Sequence, residues 1–178
     1  MTRLHSTPVS EATGPAAQLF AAIKGAVGMV PNAYVGIGSN SPHALEAGLH
    51  LDAALKKGSL SGQDIEAVKL IVSQAAECDY CLAAHTTIGK MHGLGAATMS
   101  ALRHGSPSGD AKLDALASLV RALVQTKGVV SADVLDAVRR AGYSDAQIVD
   151  VLLAVTSITF TNLFNRLNDT ALDFPPAD

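Results

Sequence analysis

Residues 61–85 read Ser61-Gly62-Gln63-Asp64-Ile65-Glu66-Ala67-Val68-Lys69-Leu70-Ile71-Val72-Ser73-Gln74-Ala75-Ala76-Glu77-Cys78-Asp79-Tyr80-Cys81-Leu82-Ala83-Ala84-His85. The stretch opens as a helix start, because Ser61 followed three residues on by Asp64 has the form of a capping box with Asp in place of Glu. It closes on a C-x-x-C pair with a histidine four residues further along. On a helix Cys81 and His85 stand at i and i+4, which puts the imidazole over the second sulfur. Two successive helices are therefore predicted at about 62–76 and 78–92, the second carrying the reactive groups.

Other helix starts lie on both sides of this stretch. Gly14-Pro15 and Ser41-Pro42 place a permissive cap before a proline at the first helical position. Ser144-Asp145-Ala146-Gln147 is a capping box, and Ser131 with Ala132-Asp133 opens another helix. Helices are predicted at about 15–27, 42–57, 95–103, 110–127, 132–141 and 145–168, and no stretch shows sustained strand alternation. The fold class is all-α. Residues 25–41 hold Gly25, Gly28, Pro31, Gly36 and Gly38 among Val30, Tyr34, Val35 and Ile37. That composition reads as an apolar loop packed against something, a candidate wall of a substrate pocket.

The turn-rich run Arg103-His104-Gly105-Ser106-Pro107-Ser108-Gly109 joins two halves without dividing the chain, since neither side holds a complete core. A single domain over 1–178 is expected, with an active half at about 42–103 and a degenerate half at about 110–170. Sliding the sequence by 83 residues lays Ser61, Ile65, Val68 and Leu70 over Ser144, Ile148, Val151 and Leu153. In that register Cys81 faces Phe164 and His85 faces Asn168, so the second copy keeps the scaffold and none of the chemistry.

Cys78 and Cys81 are the only cysteines in 178 residues. Two thiols three positions apart can close a small disulfide or share a metal, or they can be inert core thiols. An ordinary thiol with a pKa of about 8.5 is only about 3% thiolate at pH 7 and needs a neighbour to change that balance. His85 is that neighbour, and a helix start at Cys78 also favours an anion. Glu66 lies on the preceding amphipathic stretch; folded against His85 it would orient the ring, giving a thiol, its base and the base's orienter. Alternatively Glu66 belongs to a solvated face or pairs with Lys69. As a metal site the motif supplies three ligands, and His50 or His92 would have to supply the fourth.

Composition excludes several classes. Hydrophobic residues make up 48% and aromatics 4%, there is no Trp, and the formal net charge is −3. With no basic stripe and few rings for stacking, nucleic acid is not an expected partner. The N-terminus lacks an apolar signal region, and the most apolar segment, Ile148 to Phe160, is broken by Asp150, Thr156, Ser157 and Thr159. No membrane association is expected, and the location is read as cytoplasmic, where a lone C-x-x-C is catalytic or metal-binding and not a staple.

Glu66, Cys78, Cys81 and His85, set in Ala75-Ala76-Glu77-Cys78-Asp79-Tyr80-Cys81-Leu82-Ala83-Ala84-His85-Thr86, resemble the signature of the alkylhydroperoxidase D-like branch of the carboxymuconolactone decarboxylase family. Gly28-Met29-Val30-Pro31-Asn32, Ser41-Pro42, Asn165-Arg166-Leu167-Asn168-Asp169-Thr170 and Leu172-Asp173-Phe174-Pro175 are similar to stretches in its peroxidase-related members. The resemblance implies an all-helical homo-oligomer, a trimer or a hexamer built from trimers, acting as a thiol peroxidase or thiol-disulfide oxidoreductase. Cys81, nearest the base, is the expected attacking thiol, with Cys78 resolving the product to a disulfide; the opposite order, with Cys78 at the helix start as the nucleophile, is the alternative. His85 accepts and returns the proton, with Glu66 behind it. An external dithiol or protein reductant is implied and no organic cofactor. Tyr80 stands where better-known members carry a histidine, and Tyr80, Pro31, Asn32 and Tyr34 are candidates for the pocket. Two other readings stand beside this one: a decarboxylating lyase, which the family name also covers but which needs no dithiol, and a non-catalytic redox-sensing protein.

Overall fold

The computed structural model describes residues 2–177. After a short 3-10 turn at Val9–Glu11, nine α-helices follow: α1 (Gly14–Val27), α2 (Asn32–Asn40), α3 (Pro42–Lys57), α4 (Gly62–Ala75), α5 (Asp79–Met91), α6 (Ala96–His104), α7 (Ala111–Thr126), α8 (Ala132–Arg140) and α9 (Asp145–Asn168). The described residues contain no strand. Both predicted capping boxes form, Ser61 with Asp64 on α4 and Ser144 with Gln147 on α9, and Ser41 caps α3. Helix α1 starts at Gly14 instead, with Thr13 as its N-cap.

Helix α4 is the centre. Ten of its residues from Asp64 to Ser73 are buried, and it packs against α5, α6, α7 and α9. A helix surrounded in this way must be apolar on all sides or have its polar groups paired. Here Ala67, Val68 and Leu70 are 0% exposed, and the charged Asp64, Glu66 and Lys69 each find a partner: Tyr143, His85 and Asp52. The mixed polarity of this stretch is thus not a solvated face. Nor do Glu66 and Lys69 pair along the helix, because each reaches a different neighbouring helix.

The expectation of a loop across 25–41 is corrected by α2. Its N-cap is Pro31, which offers no side-chain bond. The first N–H groups are satisfied from far along the chain: Asn32 N–H donates to Asp173 Oδ2 at 2.6 Å and Ala33 N–H to the Tyr80 hydroxyl at 3.2 Å. The glycines are packing devices. A Cβ on Gly38 would come within 2.5 Å of the Phe20 ring and 2.8 Å of Leu45, and one on Gly36 within 2.9 Å of Phe164. A second, smaller core of Phe20, Ile23, Ile37 and Leu45 forms at this close approach of α1, α2 and α3.

Helix α9 crosses α4, α3, α2 and α5. By length and composition it could cross a membrane, contrary to the expectation from its polar interruptions. The Thr156 and Thr159 hydroxyls return their hydrogen bonds to the carbonyls of Leu152 and Val155. Within the fold, its inner face buries Ser157, Asn162, Asn165 and Asn168 against the protein.

Candidate active site

The corner between α4 and α5 makes the site. Glu77 adopts the left-handed backbone at φ 51°, a conformation that ends a helix. Cys78 N–H closes the turn on Ser73 O at 3.0 Å. Cys78 becomes the N-cap of α5, its Sγ accepting from Cys81 N–H at 3.4 Å. Arg166 of α9 clamps the corner, donating to Ala76 O with Glu77 at 3.6 Å.

Both thiols are free and buried, Cys78 at 1% and Cys81 at 2% exposure. The Cys78 thiol donates to Cys81 Sγ at 2.8 Å, and Asn165 Nδ2 donates to the same sulfur at 3.3 Å. These donors are why the two thiols separate. Cys81 is brought down to about 6, first by the Cys78 hydrogen bond, against the opposing effect of burial, then by Asn165 and by the charge of His85. Cys78, whose proton is committed to its partner, is pushed far up by that bond and by burial. At pH 7 a thiol of pKa near 6 is about nine-tenths ionised, against about 3% for an ordinary one.

His85 Nδ1 meets Glu66 Oε2 at 2.7 Å across the α4–α5 interface. Burial works to raise Glu66, but the His85 charge and hydrogen bond, helped by Lys69, outweigh it and hold the carboxylate below its ordinary range. The expected Glu66–His85 pairing is present. No hydrogen bond joins His85 to Cys81 among the described residues, so the imidazole acts on the sulfur as a charge, with its side chain 12% exposed toward solvent.

The other predicted residues are placed as follows. Tyr80 is 6% exposed; its hydroxyl accepts from Ala33 N–H and its ring meets Phe174 edge-on at 5.9 Å. It is a latch between α5 and α2. Pro31 caps α2, and Asn32 ties that helix to 171–173 through Asp173 and Ala171 O. Tyr34 alone of the four lines a cavity, about 10 Å³ in volume, with Ile37, Leu45, Leu49, Asp52, Ser157 and Phe160. Its phenol is raised by burial and by the nearby Asp52, Cys81 and Glu66 charges. His50 and His92 do not join the thiols, and the described residues hold no cluster of three His, Cys, Asp or Glu that could bind a metal.

Sequence reasoning missed two features. Asp52 on α3 accepts from Lys69 at 2.9 Å and from Ser157 at 2.8 Å, joining three helices in one half-buried network. Asn162 and Asn165 of α9 reach the α4–α5 corner, Asn162 donating to Ser73 Oγ at 3.1 Å. The site thus draws on both halves of the chain. The available signal was Asn162, Asn165 and Asn168 at three-residue spacing in an otherwise apolar helix, where asparagine is a poor helix former.

The site is thus a buried dithiol at a helix start, backed by a carboxylate–imidazole pair in a helical bundle. Residues 42–122 match the Carboxymuconolactone decarboxylase family. No curated protein matches the chain by sequence. Among solved structures, an uncharacterized peroxidase-related protein with an alkylhydroperoxidase AhpD core from Ralstonia eutropha JMP134 superposes with a TM-score of 0.84 at 17% identity, covering 97% of this chain and 92% of that one. A variant of the debrominase Bmp8 bound to 2,3,4-tribromopyrrole gives 0.79 at 18%, with 97% and 92% covered. An uncharacterized peroxidase-related protein from Silicibacter sp. TM1040 gives 0.77 at 18%, with 99% and 95% covered. At these identities the likeness is one of fold, and the fold is one used by enzymes.

Proposed function

We propose that the chain is a thiol peroxidase that cycles through a Cys78–Cys81 disulfide. The observation that carries the reading is a pair of buried thiols 2.8 Å apart in which Cys78 and Asn165 both donate to Cys81 Sγ, an arrangement that favours an ionised Cys81 and a protonated Cys78, so that one attacks and the other waits. The Cys81 thiolate attacks an oxygen of an organic hydroperoxide: an S–O bond forms, the O–O bond breaks, and the alkoxide leaves with a proton supplied from the His85 side. The Cys78 thiol then attacks the Cys81 sulfenic acid, releasing water and closing the disulfide. An external dithiol reduces it by exchange. The partners of this reading are a hydroperoxide, a dithiol or protein reductant, and further copies of the chain. No organic cofactor enters the cycle.

Free-thiol titration tests it. One equivalent of an organic hydroperoxide is expected to take two thiols per chain to none, with the peptide containing both cysteines lighter by two hydrogens. The Cys78→Ser protein is expected to stop at a sulfenic acid on Cys81. A bromopyrrole run in parallel provides the contrast: turnover of that compound with no reaction toward hydroperoxides overturns the peroxidase reading, as does a disulfide that forms without any catalytic cycle.

A further inference from the structure

We propose that Asn165 is a catalytic residue for Cys81, a neutral donor delivered by α9 that holds the sulfur in its ionised form. The inference rests on the reading of Cys81 as the attacking thiol. Asn165 Nδ2 lies 3.3 Å from Cys81 Sγ and the residue is 4% exposed, so no water competes for the bond. Its neighbour one turn earlier, Asn162, is fixed by its own donation to Ser73 Oγ on α4 at 3.1 Å.

Packing alone does not account for these two side chains. Asn168, the third of the series, is fully used: its Oδ1 accepts from Leu4 N–H and its Nδ2 donates to Thr170. Asn162 Oδ1 and Asn165 Oδ1, by contrast, are buried with no donor among the described residues. An aliphatic residue would fill the same space without leaving a buried acceptor unpaired, which is a destabilising arrangement. The NH2 groups give the arrangement a purpose, since a hydrogen bond to a charged acceptor is stronger than one to a neutral acceptor. The unpaired Asn165 oxygen then has a partner to come, the O–H that the sulfur acquires as a sulfenic acid.

The charge environment leaves this role open for α9. Facing Cys81 from α5 are Cys78, Asp79, Tyr80 and His85; from α2, Tyr34; from α4, Glu66 by way of His85. Helix α9 brings Asn162 and Asn165 to the sulfur, while its charge at this corner, Arg166, is engaged by Ala76 O and Glu77.

The test is the pH profile of site-resolved alkylation at Cys81 in the wild type, Asn165→Asp and Asn165→Ser. Asp keeps the volume, loses the donor and adds a charge that itself disfavours the thiolate, whereas Ser loses the reach and adds no charge, so Ser isolates the donor. In both, the inflection is expected to rise by about one pH unit, with alkylation about fivefold slower near pH 6. A wild-type inflection near that of an ordinary thiol overturns the reading of Cys81 itself. A low wild-type inflection unmoved in folded variants overturns the Asn165 role alone. Should both variants unfold, the wild type still decides: the Asn165 side-chain amide nitrogen is expected to titrate with the Cys81 inflection in NMR spectra and to stop doing so in Cys81→Ser, and an invariant signal overturns the proposal.

Discussion

Cys81 is 2% exposed, yet it is the more acidic of the two thiols, because the stabilisation is supplied by hydrogen bonds that outweigh the burial. His85 adds charge to this and Glu66 positions the ring. Replacing His85 by Ala is expected to move the Cys81 alkylation inflection upward by about one unit, and Glu66→Gln by less, since the ring remains. The direction follows from the sign: a cation that favours the thiolate depresses its pKa, and removing it raises it. Identical profiles for both variants and the wild type between pH 5 and 9 would dispose of the relay. Four of these residues were legible in the sequence because their relation is local or nearly so, i to i+3 and i+4 on one helix and a carboxylate on the helix before it. Asn165 was not, because it reaches the sulfur from 84 residues away and only the crossing of α9 over the α4–α5 corner brings the two together.

Helix α2 shows the same limit for an element. Local propensity disfavours it, with two glycines in nine residues, and its caps come from residues 47 and 141 positions distant. Its register is held by close approach, and this yields a paired prediction. Gly38→Ala puts a methyl into Phe20 and Leu45 and is expected to cost about 1–3 kcal/mol. Gly25→Ala, on α1 with nothing within 4 Å, is expected to stabilise by about 0.5–1 kcal/mol. Urea unfolding of the two proteins checks both signs, and equal midpoints would mean that α2 yields to the added methyl. Helices α3, α4 and α9 needed no such help: Ser41, Ser61 and Ser144 cap them from inside their own sequence, which is why those starts were readable to within a residue or two.

For the whole molecule the outer face of α9 is the unresolved surface. Val149, Leu152, Leu163 and Leu167, 63%, 45%, 68% and 59% exposed, lie along one side of the helix, opposite the buried Val151, Ala154 and Ile158. The expected self-association would cover this stripe. Leu163→Glu is therefore expected to lower the mass seen by light scattering without unfolding the chain, and a wild-type monomer at micromolar concentration would refute the association. Phe164, the neighbouring aromatic, packs inward over Gly36, so a charge there would test folding instead. The crossing of α9 over the site also fixes when the chemistry begins. Asn165 is synthesised 84 residues after Cys81, on the order of ten seconds later at ordinary translation rates. Through that interval the nascent chain carries a cysteine without its α9 donor. Its full reactivity arrives only when a residue made much later swings into place, so an oxidant meeting the half-made protein finds a sulfur not yet armed.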